Sequence, residues 1–284
     1  MTKTAAFLFH GALNDFLPAA KRNIRFDYTF NGSPAVKDAI EALGVPHPEV
    51  DVILINGAPA GFAQQLQAQD QVEVFPDASA FGLPEAHSIQ ALLPVSDKFV
   101  LDVHLGKLAK ALRMLGFDTL YQNDYDDATI ARLADQENRI VLTRDVNLLK
   151  NKRINRGYWL RSQHAEEQLQ EVLTYFELLL QLNPFTRCLE CNGPIVAVAK
   201  EEVLEQLPPN TRLYFHEFYQ CRNCRRVYWK GSHYERMQQF IQRLHTGTGH
   251  RSSFYSSARI QMASITSKPI LISELLPVTS LIAV

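Results

Sequence analysis

Short apolar runs separated by polar turns fill the first 76 residues, and their order predicts β, β, α, β, β. "AAFLFHG" reads as a first strand. In "NIRFDYTF", Ile24, Phe26, Tyr28 and Phe30 alternate with polar positions, the period-two pattern of a half-buried strand. "NGSP" then predicts a turn, with Ser33 as helix N-cap and Pro34 at the first helical position. Val36, Ala39, Ile40 and Leu43 supply the helix's apolar face, and Gly44 ends it. "VDVILING" and "DQVEVFP" are further strands. Residues 77–97, with two prolines and no sustained period, read as a linker.

From residue 98 the period changes. "KFVLD" is a short buried strand. In "LGKLAKALRMLG", Leu105, Leu108, Ala109, Leu112 and Leu115 form one helical stripe, stopped by Gly116. "DTLYQ" is a strand, "DDATIARLADQEN" a helix, "RIVLTRD" a third strand and "GYWLR" a fourth. "AEEQLQEVLTYFELLLQL" predicts one long helix. Strands alternating with helices imply an α/β domain with a parallel sheet over residues 98–183. Residues 184–245 hold the cysteines and end in a helix, "YERMQQFIQRLH"; the tail 246–284 has no assignable structure.

Strand order in the N-terminal module resembles a β-grasp, ubiquitin-like fold, similar to the small sulfur carriers of thiamine and molybdopterin synthesis. Those carriers act through a free C-terminal Gly-Gly. Here "VEVFPDAS" runs on without one, which argues against carrier chemistry.

Composition narrows the class. With 46% hydrophobic and 21% charged residues, the 284-residue chain is that of a globular protein with room for two or three domains. No apolar run reaches the roughly 18 residues of a membrane helix. The N-terminus reads as a strand rather than a signal peptide, and a cytoplasmic location is the default expectation. The net charge of −1 is unevenly spread. Residues 1–97 hold 5 Lys+Arg against 11 Asp+Glu, residues 98–163 hold 12 against 8, and residues 164–284 hold 12 against 11. The basic middle segment suits a polyanion, although a solvated surface has the same composition.

Within that basic segment, three aspartates stand where a parallel sheet gathers them. Right-handed crossovers put every strand's C-terminal end on one edge, the edge where such folds bind ligands. Asp102 ends "FVLD", Asp145 follows "IVLT" by one residue, and Asp127 starts the helix after "DTLYQ", with Asp124 and Asp126 as substitutes in the same loop. Clustered carboxylates repel and call for a cation; hard oxygen donors select Mg²⁺ or Mn²⁺. Beside a phosphate, such an ion serves phosphodiester hydrolysis. Plainer readings stand next to this one. Asp127 is first a helix N-cap, and Asp145 pairs with Arg144 or caps a turn. Asp102 is the hardest to explain otherwise, because an acid ending a buried strand is costly without a partner. Lys107, Lys110 and Arg113 recur on the helix face opposite the apolar stripe, and Arg144, Lys150, Lys152 and Arg153 flank Asp145. These are the candidate phosphate contacts, or else an ordinary solvated face. His104, two residues past Asp102, reads more as packing or capping than as a base.

All four cysteines sit in two C-x-x-C pairs, Cys188/Cys191 and Cys221/Cys224, with 29 residues between the pairs. This is metal-site spacing: two knuckles giving four thiolates to a structural Zn²⁺, with an insertion between them and "RLYFHEFYQC" entering the second knuckle as a strand. A redox pair is the weaker alternative, since there is no thioredoxin-like context.

"FVLDVHLGKLAKALRMLGFDTLY", "YDDATIARLADQENRIVLTRD", "RCLECNGP" and "CRNCRRVYWKGSHYERM" together resemble the Mut-seven C-terminal RNase family, a PIN-like nuclease group, over about residues 98–243. The N-terminal module is similar to the ubiquitin-like domain that precedes this RNase domain in some bacterial members. The resemblance implies a PIN-like fold, a zinc ribbon and metal-dependent RNase activity with RNA as partner. It implies Asp102, Asp127 and Asp145 as the acidic residues and Cys188, Cys191, Cys221 and Cys224 as zinc ligands. Lys230, His233 and Arg236 belong to the shared pattern without an assigned role. Many PIN enzymes carry four acids; three are read here, with Asp124 or Asp126 as the candidate fourth. The alternative expectation is a non-catalytic RNA-binding or protein-interaction module, with the ubiquitin-like domain docking a protein partner.

Overall fold

A computed structural model describes residues 2–246; the tail beyond them, left unassigned from sequence, lies outside the described residues. The chain opens with β1 (Lys3–Phe9), β2 (Phe26–Phe30), α1 (Val36–Ala42), β3 (Val52–Ile55), β4 (Ala58–Pro59) and β5 (Gln71–Phe75). These strands form one sheet in the order β2-β1-β5-β3-β4, with β1 and β5 parallel at its centre. This is the β-grasp arrangement. Phe7, Phe9, Leu13, Ile40, Leu66 and Val72 are among the side chains that fill its core.

The predicted cap of α1 is displaced. Ala35, not Ser33, is the N-cap, and it contributes no side-chain cap. The first helical N–H groups are satisfied by a neighbouring segment instead: Val36 N donates to Gln64 O and Lys37 N to Phe62 O. The predicted stop holds, because Gly44 has φ +114° and lets Val45 N reach Ile40 O.

Three 3₁₀ turns, Ser79–Phe81, Glu85–His87 and Gln90–Leu92, occupy the expected linker. Buried Asp51 anchors it, accepting from Ala78 N, Ser88 Oγ and Gln90 N. There follow β6 (Phe99–Leu101), α2 (Gly106–Met114), β7 (Thr119–Leu120), α3 (Asp127–Glu137), β8 (Ile140–Thr143), α4 (Val146–Leu149), β9 (Gly157–Trp159) and α5 (Ala165–Tyr175). The cysteine region contains β10 (Ile195–Val198), α6 (Lys200–Val203), α7 (Pro209–Tyr214), β11 (Phe218–Cys221), β12 (Val227–Trp229) and α8 (Ser232–Thr246).

These elements pack as two compact units. The first joins the residues up to Val103 to Asp124–Arg161, and the second joins His104–Asn123 to the residues from Ser162. In the first unit β6, β8 and β9 run parallel in that spatial order, every residue of β6 and β8 is buried, and α3 packs on both.

In the second unit β10, β11 and β12 form an antiparallel sheet, with α6 and α7 inserted between its first two strands. The predicted strand "RLYFHEFYQC" is thus only half strand, since Arg212–Tyr214 belong to α7. The predicted long helix stops at Tyr175, where Glu177 turns left-handed at φ +53°. The turn brings the chain back so that Asn183 N and Phe185 N donate to Leu115 O and Met114 O. Nothing in the leucine-rich pattern announces it.

The β-grasp module is built into the first unit through buried polar ties. Strand β9 pairs with β8 on one side, while its outward N–H, that of Trp159, donates to Glu49 Oε1 at 2.5 Å. Glu49 is 2% exposed and also accepts from Arg161 Nη2 at 3.3 Å. Arg161 reaches Asp15 at 3.0 Å and lies against the rings of Tyr158, Trp159 and Phe16. Burial pushes the Glu49 carboxyl up, with Arg161 pulling against it. A carboxylate thus covers the strand edge that another chain would otherwise pair with. Glu49→Ala leaves Arg161 and the Trp159 N–H without their buried acceptor. The expected loss is about 3 kcal/mol of stability, read as a lower urea midpoint; an unchanged midpoint would contradict this role.

Candidate active site and metal centre

Strand register brings the first two predicted acids together. Leu101 stands opposite Leu142, and Asp102 N continues the ladder to Leu142 O at 3.1 Å, so Asp102 meets Thr143 across the strands. Asp102 Oδ2 accepts from Thr143 Oγ1 at 2.6 Å, and its Oδ1 accepts from Val103 N at 2.7 Å. The same Thr143 hydroxyl accepts from Asp145 N at 2.8 Å. One fully buried hydroxyl therefore fastens both strand ends. Asp145 caps α4, accepting from Asn147 N at 2.8 Å. The sequence pattern marks Thr143 only as buried strand; its signal is a hydroxyl closing an all-apolar strand, two residues before an acid.

Asp127 is not the N-cap predicted for α3. Asp126 holds that place, accepting from Thr129 N at 2.8 Å. Asp127 is left at the first helical position, and its carboxyl is pushed above the usual aspartate range by partial desolvation, then by the negative charges of Asp102, Asp145 and Asp126. Capping conversely draws Asp126 below that range. Asp102, Asp127 and Asp145 thus share one electrostatic neighbourhood. Their oxygens are not all within 4.8 Å of one another; among the described residues, only the four cysteines meet that condition. The oxygen donors suit Mg²⁺ or Mn²⁺, and Mg²⁺ keeps several of its waters, so direct contact with all three carboxylates is unnecessary.

The basic candidates divide. Lys107 and Arg144 are exposed, and Lys110 is exposed in a surface ion pair with Glu190 at 2.7 Å. Arg113 is not on the solvated face where the helical period placed it. It is 3% exposed, and its guanidinium donates to Thr119 O, Leu189 O and Glu190 O. Lys150 is half-buried and donates to Glu41 O of the β-grasp module at 3.0 Å. Both are internal ties. His104 is exposed, with a left-handed φ of +69°.

In the second unit, all four cysteine sulfurs lie within 4.8 Å of one another. Cys188 and Cys221 are buried, while Cys191 and Cys224 reach the surface. Backbone N–H groups point at the sulfurs, Cys191 N at Cys188 Sγ and Asn223 N at Cys221 Sγ. The set has the donors and closure of a structural Zn²⁺ site with no open position. A residue missed from sequence supports it: buried Tyr228 places its hydroxyl 2.9 Å from Cys188 Sγ and accepts from Leu189 N. Burial opposes ionisation of Cys188, yet the Tyr228 hydroxyl and nearby N–H groups bring its thiol down to about 7. Burial instead pushes Cys224 up to about 12.

Family comparison fits this arrangement. The Mut7-C RNAse domain model matches residues 97–241, and the Mut7-C ubiquitin model matches residues 2–81. The chain belongs to the Mut7-C RNAse domain family. The match names a ribonuclease-type domain that ends in the cysteine region, preceded by a ubiquitin-like module, in the order expected from sequence. No curated protein matches the chain. Two crystal structures of small archaeal modifier protein 1 from Haloferax volcanii match at 22% and 23% identity. They cover 26% and 27% of this chain and 97% of their own, each with a TM-score of 0.21. Among the described residues, no helix is long and apolar enough to cross a membrane.

The four-thiol geometry predicts one zinc per chain by atomic absorption. A strong chelator under reducing conditions should release it and lower the thermal midpoint, because binding energy at such a site is folding energy. Full stability without metal would contradict the assignment.

Proposed function

We propose that this Mut7-C protein is a metal-dependent ribonuclease that hydrolyses RNA phosphodiester bonds at the edge where β6 and β8 end. The observation that carries the reading is the tie at Thr143. Its hydroxyl fixes Asp102 and Asp145 side by side, while Asp127 feels the charge of both. Asp102, Asp127 and Asp145 would hold Mg²⁺ or Mn²⁺. When bound, the ion offsets negative charge on the phosphate and makes water a better nucleophile at neutral pH.

The chain's own residues set the stage for that chemistry. Thr143 limits rotation of the Asp102 carboxylate, and Asp126 takes over capping and so leaves Asp127 uncommitted. Exposed Arg144 is the proposed phosphate contact in the unit that carries these acids, and exposed Lys107 and Lys110 are proposed phosphate contacts on the second unit's own surface. Arg113 and Lys150 are left out of that set because their donors are already used. The zinc is structural. In this reading residues 1–76, 98–183 and 184–245 serve as β-grasp, nuclease and ribbon segments.

The test is cleavage of single-stranded RNA with Mn²⁺. Asp102→Asn and Asp145→Asn should each cost at least about 100-fold with folding intact. Thr143→Val should cost roughly 10- to 100-fold through misplacement of the two carboxylates. Because Asp127 keeps its proton to higher pH than an ordinary aspartate, the Mn²⁺ needed for half-maximal activity should rise as pH falls, starting above the usual aspartate range. Equal cleavage by wild type and both Asn variants would defeat the reading.

A further inference from the structure

The second cysteine knuckle carries a feature that the nuclease edge does not use. Residues 218–229, "FYQCRNCRRVYW", contain three arginines and no acid. Arg222, Arg225 and Arg226 are all exposed, and neither Arg222 nor Arg225 makes an ion pair among the described residues. Arg226 lies in the field of Glu190. The backbone beneath them is fixed. Arg225 N donates to Cys221 O, Cys221 N donates to Arg226 O, and Arg225 has a left-handed φ of +62°. The arginines are therefore displayed from a turn that the four-thiol site holds in shape.

Beside this turn is a cavity of about 410 Å³, within the range of small-ligand sites. Its lining is two-sided in chemistry. Pro208, Val227 and Trp229 give an apolar side, Gln206, Arg225 and Arg226 give a polar and cationic one, and Cys224 of the four-thiol site completes the lining. A cavity with one apolar side, beside the turn that carries Arg222 and Arg225, matches a nucleotide of a single strand: base against the apolar side, phosphate on the arginines. A protein partner would need a larger apolar face, and a free anion would leave the apolar wall unused.

We propose that this knuckle is a second RNA-binding site, taking one nucleotide of single-stranded RNA in the Gln206–Trp229 cavity and its flanking phosphates on Arg222 and Arg225. The proposal rests on the ribonuclease reading for the identity of the polyanion, and it adds a place where the strand is held away from the aspartates.

The test uses the full-length, zinc-loaded chain carrying Asp145→Asn, so that RNA is not cut. Binding of a fluorescein-labelled single-stranded RNA 12-mer is followed by anisotropy across a salt series. Arg222→Gln with Arg225→Gln should weaken binding at least tenfold and flatten the slope of log affinity against log salt by about 1.4, two single-strand phosphate contacts. Arg222→Lys with Arg225→Lys, which keeps the charge, should restore most of the slope. Zinc content of each variant reports that the knuckle is intact. Unchanged affinity and slope in the Gln variant, or no RNA binding by the parent chain, would overturn the proposal. Cleavage by the wild type separates the two readings. A chain that cleaves RNA but binds it independently of these arginines keeps the nuclease reading and loses this site; arginine-dependent binding without cleavage does the reverse.

Discussion

Repulsion between carboxylates at the ends of adjacent parallel strands is the constraint on which this site depends. Parallel register sets Asp102 beside Thr143, and Asp145 follows two residues later, just past the end of the neighbouring strand. Left alone, such acids would turn apart or take up protons. A single buried hydroxyl opposes the first by donating to the Asp102 carboxylate and pinning the Asp145 backbone, while Asn147 N holds the Asp145 carboxylate. The second is visible at Asp127, whose carboxyl partial desolvation and then the neighbouring charges push upward. In the proposed reading the arrangement would take a cation with its own water shell rather than close around a bare one, which is how small hard divalent ions bind.

Arginine and lysine play an unexpected part in the same segment. Residues 98–163 have an excess of positive charge, and that excess reads from sequence as a surface for a polyanion. Much of it instead works inside the fold. Arg113 gathers three carbonyls in the second unit, and Lys150 ties the β-grasp module within the first. Arg139 is buried and donates to Phe99 O, and Arg156 donates to Gln90 O and Leu93 O. Arg161 serves buried Glu49. A planar guanidinium can satisfy several carbonyls at once, and it carries its charge in weakly hydrated form, which suits it to this use.

What could be read from the chain follows from how local each signal is. The β-grasp strands, Gly44, the alternation from residue 98 and the two cysteine pairs announce themselves over a few residues. The features missed are set by distant neighbours. The α1 N-terminus is satisfied by carbonyls of residues 62 and 64, so Ser33 is not needed as a cap. Asp126 and Asp127 are equivalent as letters, and only the helix start decides which one caps. The end of α5 is fixed by the return of Asn183 and Phe185 to α2. Arg113 sits at a helical position that periodicity marks as outward, yet carbonyls from a strand and a knuckle draw it in. Thr143 and Tyr228 carry no motif of their own, because their role lies in the acid or thiol they touch.

The central claim is that three strand-edge aspartates jointly bind a hard divalent ion. Anomalous diffraction from crystals soaked in Mn²⁺ tests this most directly. The account predicts a peak at the β6–β8 edge, in contact with at least one of Asp102, Asp127 and Asp145 and linked to the others directly or through water. The peak should vanish in Asp102→Asn crystals soaked in the same way. No peak at that edge, or one that survives the substitution unchanged, would contradict it.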